Sequence, residues 1–342
     1  MKAIVTGGAG FIGSHVARIL SDSGVSVLVI DDLSGGFVEN VPKNAILLEM
    51  SITDSRVKYV IKDFQPDLVF HLAAYAAEGL SYHIPSFNYE NNLVGTANVL
   101  NGAYMAGAKR FVFTSSIATY GHPKDERPFI EGDRQEPVDP YGIAKLACEQ
   151  HIRSFRHYHG GPDYVIFRPH NVFGPNQNIA DPFRNVVGIF MRQCLDGKPL
   201  TIFGDGIQTR SFSYIDVVAQ AIVSSVLKNG EIQKMVFDNA FNIGGDESMS
   251  VKDLALLVSN AMGVKPDIQF LPARIEVKHA HCDHRIAKSV FRDEYKKYHK
   301  SIIEGIYEMA QWVKANKIPK TTPCPSPIEI RDHLPPSWSN LV

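Results

Sequence analysis

A glycine-rich turn directly after the first apolar segment constrains this chain more than any other feature. Gly7, Gly10 and Gly13 have the spacing G-x-x-G-x-x-G. The turn joins a predicted strand at 2–6 to a predicted helix at 11–23, and a second predicted strand follows at 25–31. Such short connections are typical of a βαβ unit, whose two strands run parallel in one sheet.

The alternation of strands and helices continues beyond this unit. Apolar segments predict four more strands, at 45–48, 68–72, 111–114 and 164–168. Helix-like stretches lie between them, notably at 91–106 and 141–158. This pattern predicts an α/β fold with a Rossmann-type doubly wound parallel sheet, covered by helices on both faces.

From about Asn171 onward the pattern loosens into loops rich in proline and glycine, with helix-like stretches at 186–195, 215–228 and 251–262. We therefore expect a nucleotide-binding Rossmann domain at 1–170, to which part of 205–235 returns. Residues 171–342 mainly form a smaller α/β C-terminal substrate lobe. The segment 321–338 has too many prolines for a helix, so it is predicted to be an extended strap or a loose tail.

Composition argues against two classes of partner. The formal net charge is −1 and charged residues make up 21% of the chain, so no electrostatic reason exists to expect nucleic acid or a membrane surface. No apolar run approaches the length of a membrane span, and the N-terminus lacks the features of a secretory signal. The four cysteines contain no CxxC pair, which suits free thiols in a reducing cytosol and predicts a cytoplasmic protein.

The glycine turn and the end of the second predicted strand together predict a dinucleotide site. The helix after the turn presents free N–H groups to a phosphate, and small residues let a diphosphate approach closely. Asp31 ends the second strand, where a carboxylate accepts both ribose hydroxyls and repels a 2′-phosphate. NAD is thus favoured over NADP. The neighbouring Asp32 is equally compatible with a solvated side chain.

Three residues have a pattern suited to proton transfer. Tyr141 and Lys145 lie four apart at a predicted helix start, so their side chains share one helical face. An ammonium beside a tyrosine stabilises the phenolate and brings its pKa toward the working range of a base. Ser116 follows a predicted strand, at the edge of the sheet where open parallel sheets bind ligands. A surface contact of Tyr141 with Lys145, and a cap formed by Ser116, are the plainer interpretations.

Six ordered motifs lie between the N-terminus and residue 216. They are TGGAGFIG, HLAA at 71–74, FTSSIATYG, YGIAK, RPHNVFGP and GDGIQTRSFSYID. With these motifs the chain resembles the extended short-chain dehydrogenase/reductase family, and in particular its nucleotide-sugar epimerases and dehydratases. The resemblance covers nearly the whole chain to about Phe291. By motif position it implies that Ser116, Tyr141 and Lys145 are catalytic.

The resemblance also implies two sets of binding residues. The NAD site comprises Gly7, Gly10, Phe11, Ile12, Gly13, Asp31, Asp32, Ser34, Ser51, Ile52, Leu72, Ala73, Ala74, Asn92, Thr114, Tyr141, Lys145 and Pro169. The nucleotide-sugar site comprises Glu78, Ser81, Ser116, Asn171, Asn185, Val186, Phe203, Arg210 and Arg274. Within the second set, Asn171, Arg210 and Arg274 are expected at the diphosphate, and Asn185 and Phe203 beside the base.

Two departures from the family pattern refine these expectations. Ser51 stands where the family usually has an acid that contacts adenine, so we expect an altered adenine contact without loss of NAD binding. Ile117 and Ala118 follow Ser116, where sugar 4,6-dehydratases carry an Asp-Glu pair to remove water. Neither side chain moves a proton. The SSIATYG segment instead looks like that of 4-epimerases. The resemblance therefore implies a UDP-glucose 4-epimerase-like enzyme that inverts C4 of a UDP-hexose or UDP-hexuronic acid through a transient 4-keto intermediate.

Several alternatives stay open at this point. A dehydratase or a keto-sugar reductase of the same family, and a catalytically silent NAD-sensing protein, are the other functions. The crowded stretch 279–284 invites a metal site, but no second ligand cluster accompanies it, so we expect no metal. Glu78 is either a sugar contact or a simple loop carboxylate. Relatives dimerise through the helices at 91–106 and 141–158, so a homodimer is expected. The dimer seam formed by these helices, or alternatively the core, would contain Leu93, Val99, Leu100, Leu146 and Ile152.

Overall fold

The structure is a computed structural model, and it describes residues 1–123, 127–228, 235–273, 279–319, 322–335 and 338. At residues 279 and 280 it describes the backbone alone. Within these residues no helix is both long enough and apolar enough to cross a membrane.

Seven parallel strands form the central sheet. Numbered along the chain, they are β1 (Lys2–Thr6), β2 (Ser26–Asp31), β3 (Ile46–Glu49), β4 (Leu68–His71), β5 (Arg110–Thr114), β6 (Asp163–Pro169) and β11 (Asn239–Ile243). Their order across the sheet is β11-β6-β5-β4-β1-β2-β3, and every neighbouring pair runs parallel. The predicted Rossmann-type sheet is confirmed, because the order reverses beside β1 as in doubly wound folds.

Twelve helices surround this sheet and the second lobe within the described residues. They are α1 (Phe11–Asp22), α2 (Val57–Phe64), α3 (Glu78–Ser81), α4 (Pro85–Tyr89), α5 (Gly95–Met105), α6 (Pro140–His159), α7 (Val186–Leu195), α8 (Ile215–Leu227), α9 (Val251–Met262), α10 (Arg285–Val290), α11 (Arg292–Tyr298) and α12 (Ile302–Ala315). Shorter elements are 3-10 turns at Val38–Asn40 and Ile117–Tyr120, and a π-helical segment at Glu90–Val94 that leads into α5.

Both faces of the sheet are buried, since consecutive apolar residues of a strand point to opposite sides. On one face Val5 packs in a cluster with Phe70 of β4 and with residues of α1 and α8. On the other face Ile4 packs with Val69 of β4 and with residues of α2, α5 and α6. The near-continuous apolar strands of the sequence follow from this double burial.

The second lobe is built from short strands beside the carboxyl edge of the sheet. They are β7 (Val172–Phe173), β8 (Leu200–Phe203), β9 (Thr209–Ser211), β10 (Ser213–Tyr214), β12 (Ser248–Ser250), β13 (Ile268–Leu271) and β14 (His279–Ala280). Between these strands the chain returns to the nucleotide-binding domain, where α8 packs against α1 and β11 pairs with β6. β11 lies beyond the predicted returning segment, and the division of the chain at residue 170 stays a prediction.

The proline-rich C-terminal segment is an extended strap where the structure describes it. The backbone N–H groups of Glu329 and Ile330 donate to the His83 carbonyl over 2.9 and 3.2 Å. The Glu329 carboxylate accepts hydrogen bonds from the backbone N–H groups of Ser86 and Phe87. Trp338 is buried, with its ring 5.2 Å from that of Phe183. These contacts fasten the strap over the loop that follows β4.

Three of the five residues considered for a dimer seam pack inward instead. Val99, Leu100 and Ile152 are at most 2% exposed and belong to the core on one face of the sheet. Leu93 is partly buried against the same core. The homodimer stays a prediction, and these three side chains do not serve it because the sheet already covers them.

A buried ion pair fixes α6 against the sheet. The guanidinium of Arg168, on β6, donates to both carboxylate oxygens of Glu149, on α6, over 2.8 and 2.6 Å. The Ser115 hydroxyl donates to the same carboxylate over 2.6 Å, and Arg168 also donates to the Tyr120 hydroxyl. Both charged side chains are at most 2% exposed. Such a pair destabilises strongly when one partner alone is removed.

Glu149→Gln should therefore lower the free energy of unfolding by about 3 kcal/mol or more, because it leaves the Arg168 charge buried without its counter-ion. Urea denaturation measures the change. Lys109→Gln is the control, since Lys109 is exposed and pairs with Asp67 at the surface. It should cost less than about 1 kcal/mol. Equal losses for the two variants would contradict the structural importance of the buried pair.

Candidate active site

A large cleft lies along the carboxyl edge of the parallel strands, between the sheet and the second lobe. Its volume is about 1570 Å³. Drug-sized ligands occupy cavities of roughly 300–1,000 Å³, so this cleft has room for a dinucleotide together with a second ligand. Open α/β sheets bind their ligands at this edge, where the strand order reverses.

The glycine turn forms one end of the cleft. Gly7 has a φ of 71°, and its N–H donates to the Ile30 carbonyl, so the turn is tied to β2. A Cβ on Gly13 would lie 2.0 Å from the Gly7 carbonyl oxygen, so only glycine permits this close approach. Gly10, the N-cap of α1, provides no capping side chain. The first N–H groups of α1 therefore face the cleft, as a diphosphate requires.

Asp31 lies beside the turn at the end of β2. One carboxylate oxygen accepts a hydrogen bond from the Ala9 N–H over 2.9 Å, and the other accepts one from the Leu33 N–H over 2.9 Å. Burial raises the pKa of this carboxyl above its usual value. Asp32 is exposed and accepts a hydrogen bond from the Ser34 N–H. Of the two acids, Asp31 is therefore the one that backbone contacts hold at the edge of the cleft.

Most residues of the predicted NAD site line this part of the cleft. They are Gly7, Gly10, Phe11, Ile12, Gly13, Asp31, Asp32, Ser34, Ile52, Leu72, Ala73, Ala74, Thr114, Tyr141, Lys145 and Pro169. The Thr114 hydroxyl is buried, and within the described part of the chain it has no hydrogen-bond partner. An unpaired buried donor of this kind is explained by a polar ligand at the site, so the residues present fit a dinucleotide.

Two residues of that set lie behind the wall of the cleft instead of lining it. The Asn92 side chain accepts a hydrogen bond from the Tyr75 N–H and donates one to the Tyr75 carbonyl, so it holds the loop after β4. The Ser51 hydroxyl lies 3.0 Å from that of Thr53 in a local turn, and Ile52 lines the cleft in its place. Neither side chain is placed to touch a ligand directly, because each is used on the backbone or side chain of its own loop.

Helix α6 brings the proton-transfer residues to the centre of the cleft. Asp139 caps the helix by accepting a hydrogen bond from the Gly142 N–H over 2.8 Å, and Pro140 occupies its first turn. Tyr141 and Lys145 follow one turn apart and line the cleft. Ser116 begins the 3-10 turn after β5, where its hydroxyl accepts a hydrogen bond from the Ala118 N–H. The three predicted catalytic residues therefore meet in one place.

Burial controls the protonation of this group. It raises the pKa of the Tyr141 phenol far above its usual value, and the nearby Glu78 carboxylate raises it further, while the Ser116 hydroxyl lowers it. Burial also lowers the pKa of Lys145 to about 8. Lys145 Nζ lies 5.8 Å from the Tyr141 ring centroid and donates to the Thr114 carbonyl over 2.8 Å.

The expectation that Lys145 brings the pKa of Tyr141 toward neutrality is thus wrong for the protein by itself. The ammonium donates to a backbone carbonyl, and desolvation is the largest influence on the pKa of the phenol. A further positive charge beside the phenol would lower that pKa.

The residues predicted for the sugar nucleotide divide between the cleft surface and its support. Those on the surface are Glu78, Ser116, Asn171, Asn185, Val186, Phe203 and Arg210. Ser81 lies beneath, where its buried hydroxyl accepts a hydrogen bond from the Tyr141 N–H and donates one to the Glu78 carbonyl. It positions these two residues and does not face the cleft. Arg274 lies outside the described residues.

The second-lobe residues are held by backbone contacts. The Asn171 amide donates to the Ser211 carbonyl over 2.9 Å, next to Arg210 on β9. Asn185 caps α7 by accepting a hydrogen bond from the Val187 N–H, and its amide contacts the Val172 carbonyl. Both asparagines have positive φ, 36° and 54°. These backbone contacts fix the two asparagine side chains in the second lobe, where both residues line the cleft.

The crowded stretch at 279–284 is dispersed in the structure. His284 Nε2 lies 2.8 Å from His170 Nε2, and its Nδ1 lies 2.7 Å from an Asp246 oxygen. Cys282 is buried in a separate cluster with Tyr120. The side chain of His279 lies outside the described residues. Among the residues that are described, no group of three His, Cys, Asp or Glu side chains has an arrangement that could hold a metal ion.

Several cleft residues were missed by sequence reasoning. Tyr75, Asp181 and Arg184 line it, as do the strap residues Ile330, Asp332, His333, Leu334, Pro335 and Trp338. Only His170 carried a signal, since it stands between Pro169 and Asn171 in a motif already singled out. The others reach the cleft through loops whose paths the sequence pattern does not predict.

Comparison with known proteins identifies relatives along most of the chain. The model of the family described as "NAD dependent epimerase/dehydratase family" matches residues 3–244. UDP-glucose 4-epimerase of Mycolicibacterium smegmatis is 34% identical over 300 residues, which cover 85% of this chain and 92% of that protein. Among solved structures, UDP-glucose 4-epimerase of Thermotoga maritima with UDP-glucose has a TM-score of 0.84 and 32% identity, over 92% of this chain and 99% of that one. The enzyme of Thermus thermophilus, in complex with NAD, has a TM-score of 0.82 and 29% identity, over 92% of this chain and 99% of that one.

Gly13→Ala should abolish binding at the glycine turn, because the added Cβ would lie 2.0 Å from the Gly7 carbonyl. We expect purified Gly13→Ala protein to contain no NAD, measured by acid extraction and an enzymatic cycling assay. Gly132→Ala is the matched control, since a Cβ there meets no atom within 4 Å among the described residues. Full NAD content in the Gly13 variant would show that the diphosphate binds elsewhere.

Proposed function

Because the chain belongs to the NAD-dependent epimerase/dehydratase family, we propose that it inverts C4 of a UDP-linked hexose or hexuronic acid through a transient 4-keto intermediate. NAD is the cofactor of this family, and the protein is an isomerase of the epimerase type. The observation that carries the proposal is the convergence of Ser116, Tyr141 and Lys145 within the cleft that also contains the glycine turn.

The residues beside Ser116 favour epimerisation over dehydration. Ile117 and Ala118 both line the cleft, so side chains at these positions face the ligands. Dehydration needs an additional acid and base there to remove water from the sugar. An isoleucine and an alanine move no proton, whereas epimerisation needs one proton-transfer group and a hydride acceptor.

The NAD site supplies that acceptor. We assign the diphosphate to the N-terminus of α1 and the adenosine ribose to Asp31, whose buried carboxylate excludes a 2′-phosphate. When bound, NAD supplies the hydride acceptor at C4, the donor for the return step, and a positive ring charge close to the phenol. That charge favours the phenolate form of Tyr141, whose formation burial otherwise opposes.

Residues of the chain itself transfer the proton of the sugar 4-hydroxyl. The Tyr141 phenolate takes the proton of the sugar 4-hydroxyl as C4 is oxidised, and it returns that proton to the 4-keto oxygen when C4 is reduced from the opposite face. Ser116 orients the oxygen at C4 beside the phenol. Lys145 holds its positive charge beneath them by donating to the Thr114 carbonyl.

Residues of the second lobe anchor the nucleotide part of the substrate. We assign the substrate diphosphate to Arg210 and Asn171, with Arg274 as a further phosphate ligand, and the base to the vicinity of Asn185, Val186 and Phe203. An arginine donates to phosphate through a planar fork, which suits firm anchoring. With the nucleotide anchored by these residues, the 4-keto sugar can turn over in the wide cleft.

A keto-sugar reductase is the second candidate of the same family. It would consume NADPH and release the oxidised form after each turnover, and the buried Asp31 carboxylate beside the ribose position disfavours that cofactor. Retention of NAD through purification discriminates the two. A cytoplasmic location and a homodimer stay predictions.

Tyr141→Phe should abolish turnover of UDP-glucose to UDP-galactose, since the phenol oxygen carries the proton in both half-reactions. We expect a loss of at least about a thousandfold in kcat, in line with the removal of a general acid–base group. NMR of the sugar anomeric signals measures turnover, and calorimetry measures UDP binding, which should persist. Tyr59→Phe, at an exposed position on α2, is the control. Turnover at the wild-type rate by the Tyr141 variant would contradict the proposed epimerase mechanism.

Glu78→Gln tests the charge next to the phenol. The carboxylate raises the pKa of Tyr141, so its neutralisation should lower that pKa. The rise of kcat/KM with pH should then move to lower pH by roughly half a pH unit. Glu90→Gln, at an exposed position outside the cleft, is the control and should leave the profile unchanged. An unmoved profile in the Glu78 variant would leave that residue as a loop carboxylate.

A further inference from the structure

We propose that Arg184, contributed by the second lobe, is a ligand of the NAD diphosphate and makes retention of NAD depend on how the second lobe sits on the glycine turn. The proposal rests on the placement of NAD at that turn. It concerns cofactor retention, so its test does not depend on which sugar is the substrate.

The glycine turn itself carries no cationic side chain. Between Lys2 and Arg18 the sequence contains no lysine or arginine, and the Arg18 guanidinium is directed at the His15 ring, 2.8 Å away. The turn therefore offers a diphosphate backbone N–H groups and a helix terminus with a partial positive charge. A full positive charge has to come from another part of the chain.

Arg184 is held rigidly at the start of α7. Its Nε donates to the Asp181 carboxylate over 2.6 Å, and the Asp181 side chain is 1% exposed. The guanidinium also stacks on the Tyr75 ring, 4.7 Å from its centroid. Tyr75 belongs to the loop after β4, whose backbone Asn92 fixes. The arginine thus crosses from the second lobe to the nucleotide-binding domain.

The end of this guanidinium reaches the loop beside the turn. A Cβ built on Gly35 would lie 2.7 Å from Arg184 Nη2, and all three of its nearest atoms within 4 Å belong to Arg184. Two residues after Gly35, the Phe37 N–H donates to the Ala9 carbonyl of the glycine turn over 3.0 Å. Both Gly35 and Arg184 line the cleft. The guanidinium therefore lies at the edge of the diphosphate position.

The geometry leaves donors for a phosphate. Within the described residues the bond to Asp181 uses Nε alone, so the Nη1 and Nη2 groups remain for a ligand. Asp181 neutralises the charge locally, which lets the arginine stand partly buried in the absence of the cofactor. Two parallel N–H groups match the oxygens of a diphosphate.

Neighbouring contacts explain how this arginine couples the lobes. The segment 174–185 is already seated on the turn, since the Asn176 amide donates to the Ser14 hydroxyl and His15 Nε2 lies 3.0 Å from the Pro175 carbonyl. The Asn178 amide donates to the Gly35 carbonyl over 3.3 Å. Arg184 ends this seated segment. Bound NAD would then be enclosed between α1 and the second lobe, and its release would require the segment to lift.

Two substitutions test the proposal. Arg184→Gln removes the guanidinium, and Gly35→Ala displaces it from the glycine turn. Glutamine keeps a donor for Asp181 and removes the guanidinium. Alanine at Gly35 leaves Arg184 in the chain and pushes its Nη2 away from the turn. We expect each variant to lose NAD during gel filtration and to bind added NAD roughly ten- to hundredfold more weakly, the loss for a hydrogen bond to a charged group. Calorimetry should show an unchanged Kd for UDP.

The double variant makes the test specific. If Gly35→Ala acts only by displacing the guanidinium, then it should cause no further loss of NAD affinity in the Arg184→Gln background. Arg285→Gln is the matched control, because Arg285 makes the same Nε contact with Asp283 at an exposed position outside the cleft. It should retain NAD as the wild type does.

Three outcomes would overturn the assignment. NAD content and Kd could stay at wild-type values in Arg184→Gln, the variant could weaken UDP binding instead of NAD binding, or the effects of the two substitutions could add fully. Should Arg184→Gln fail to fold, Gly35→Ala alone decides, since it keeps the Arg184–Asp181 pair. A wild-type protein that retains NAD but shows no epimerase activity would contradict the proposed reaction and leave the assignment of Arg184 intact.

Discussion

The buried contact between Glu149 and Arg168 holds α6 in register with the ends of β5 and β6. Because the same carboxylate also accepts the Ser115 hydroxyl, the helix cannot shift without separating a buried charge pair and a hydrogen bond at once. Tyr141 and Lys145 depend on that register, since both project from the same helix toward Ser116. The reactive group is thus built on two rigid elements, whose relative position is set by charges at most 2% exposed.

Electrostatics at this group are governed by desolvation. Burial raises the pKa of the Tyr141 phenol, with the Glu78 carboxylate adding to this effect, and burial lowers the pKa of Lys145 to about 8. A raised pKa disfavours the phenolate, and a positive charge beside the phenol favours it. In the proposed reaction, bound oxidised cofactor would supply that charge and so link proton transfer to its presence. The reaction proposed here needs that link, since both half-reactions use the same bound cofactor.

The two lobes contribute different kinds of group to the cleft. In the assignment proposed above, the sheet presents backbone N–H groups and Asp31 to the dinucleotide, and the second lobe presents arginine and asparagine side chains to the sugar nucleotide. Arg184 breaks this division, because it is fixed by Asp181 on the second lobe while its guanidinium lies beside Gly35. The C-terminal strap adds a further boundary, since it is fastened to His83 and contributes Trp338 to the cleft.

Residue patterns along the chain were enough to predict the sheet, the glycine turn, Asp31 and the meeting of Tyr141, Lys145 and Ser116, because each depends on local periodicity or on residues close in the chain. The family resemblance also assigned Asn92, Ser51 and Ser81 to the ligand sites, whereas the structure turns them toward the backbone or side chains of neighbouring loops. The partnership of Glu149 with Arg168, the raised pKa of Tyr141 and the reach of Arg184 to Gly35 emerged only once the chain was folded. These depend on burial and on contacts between distant segments, which a one-dimensional pattern of residue types does not encode.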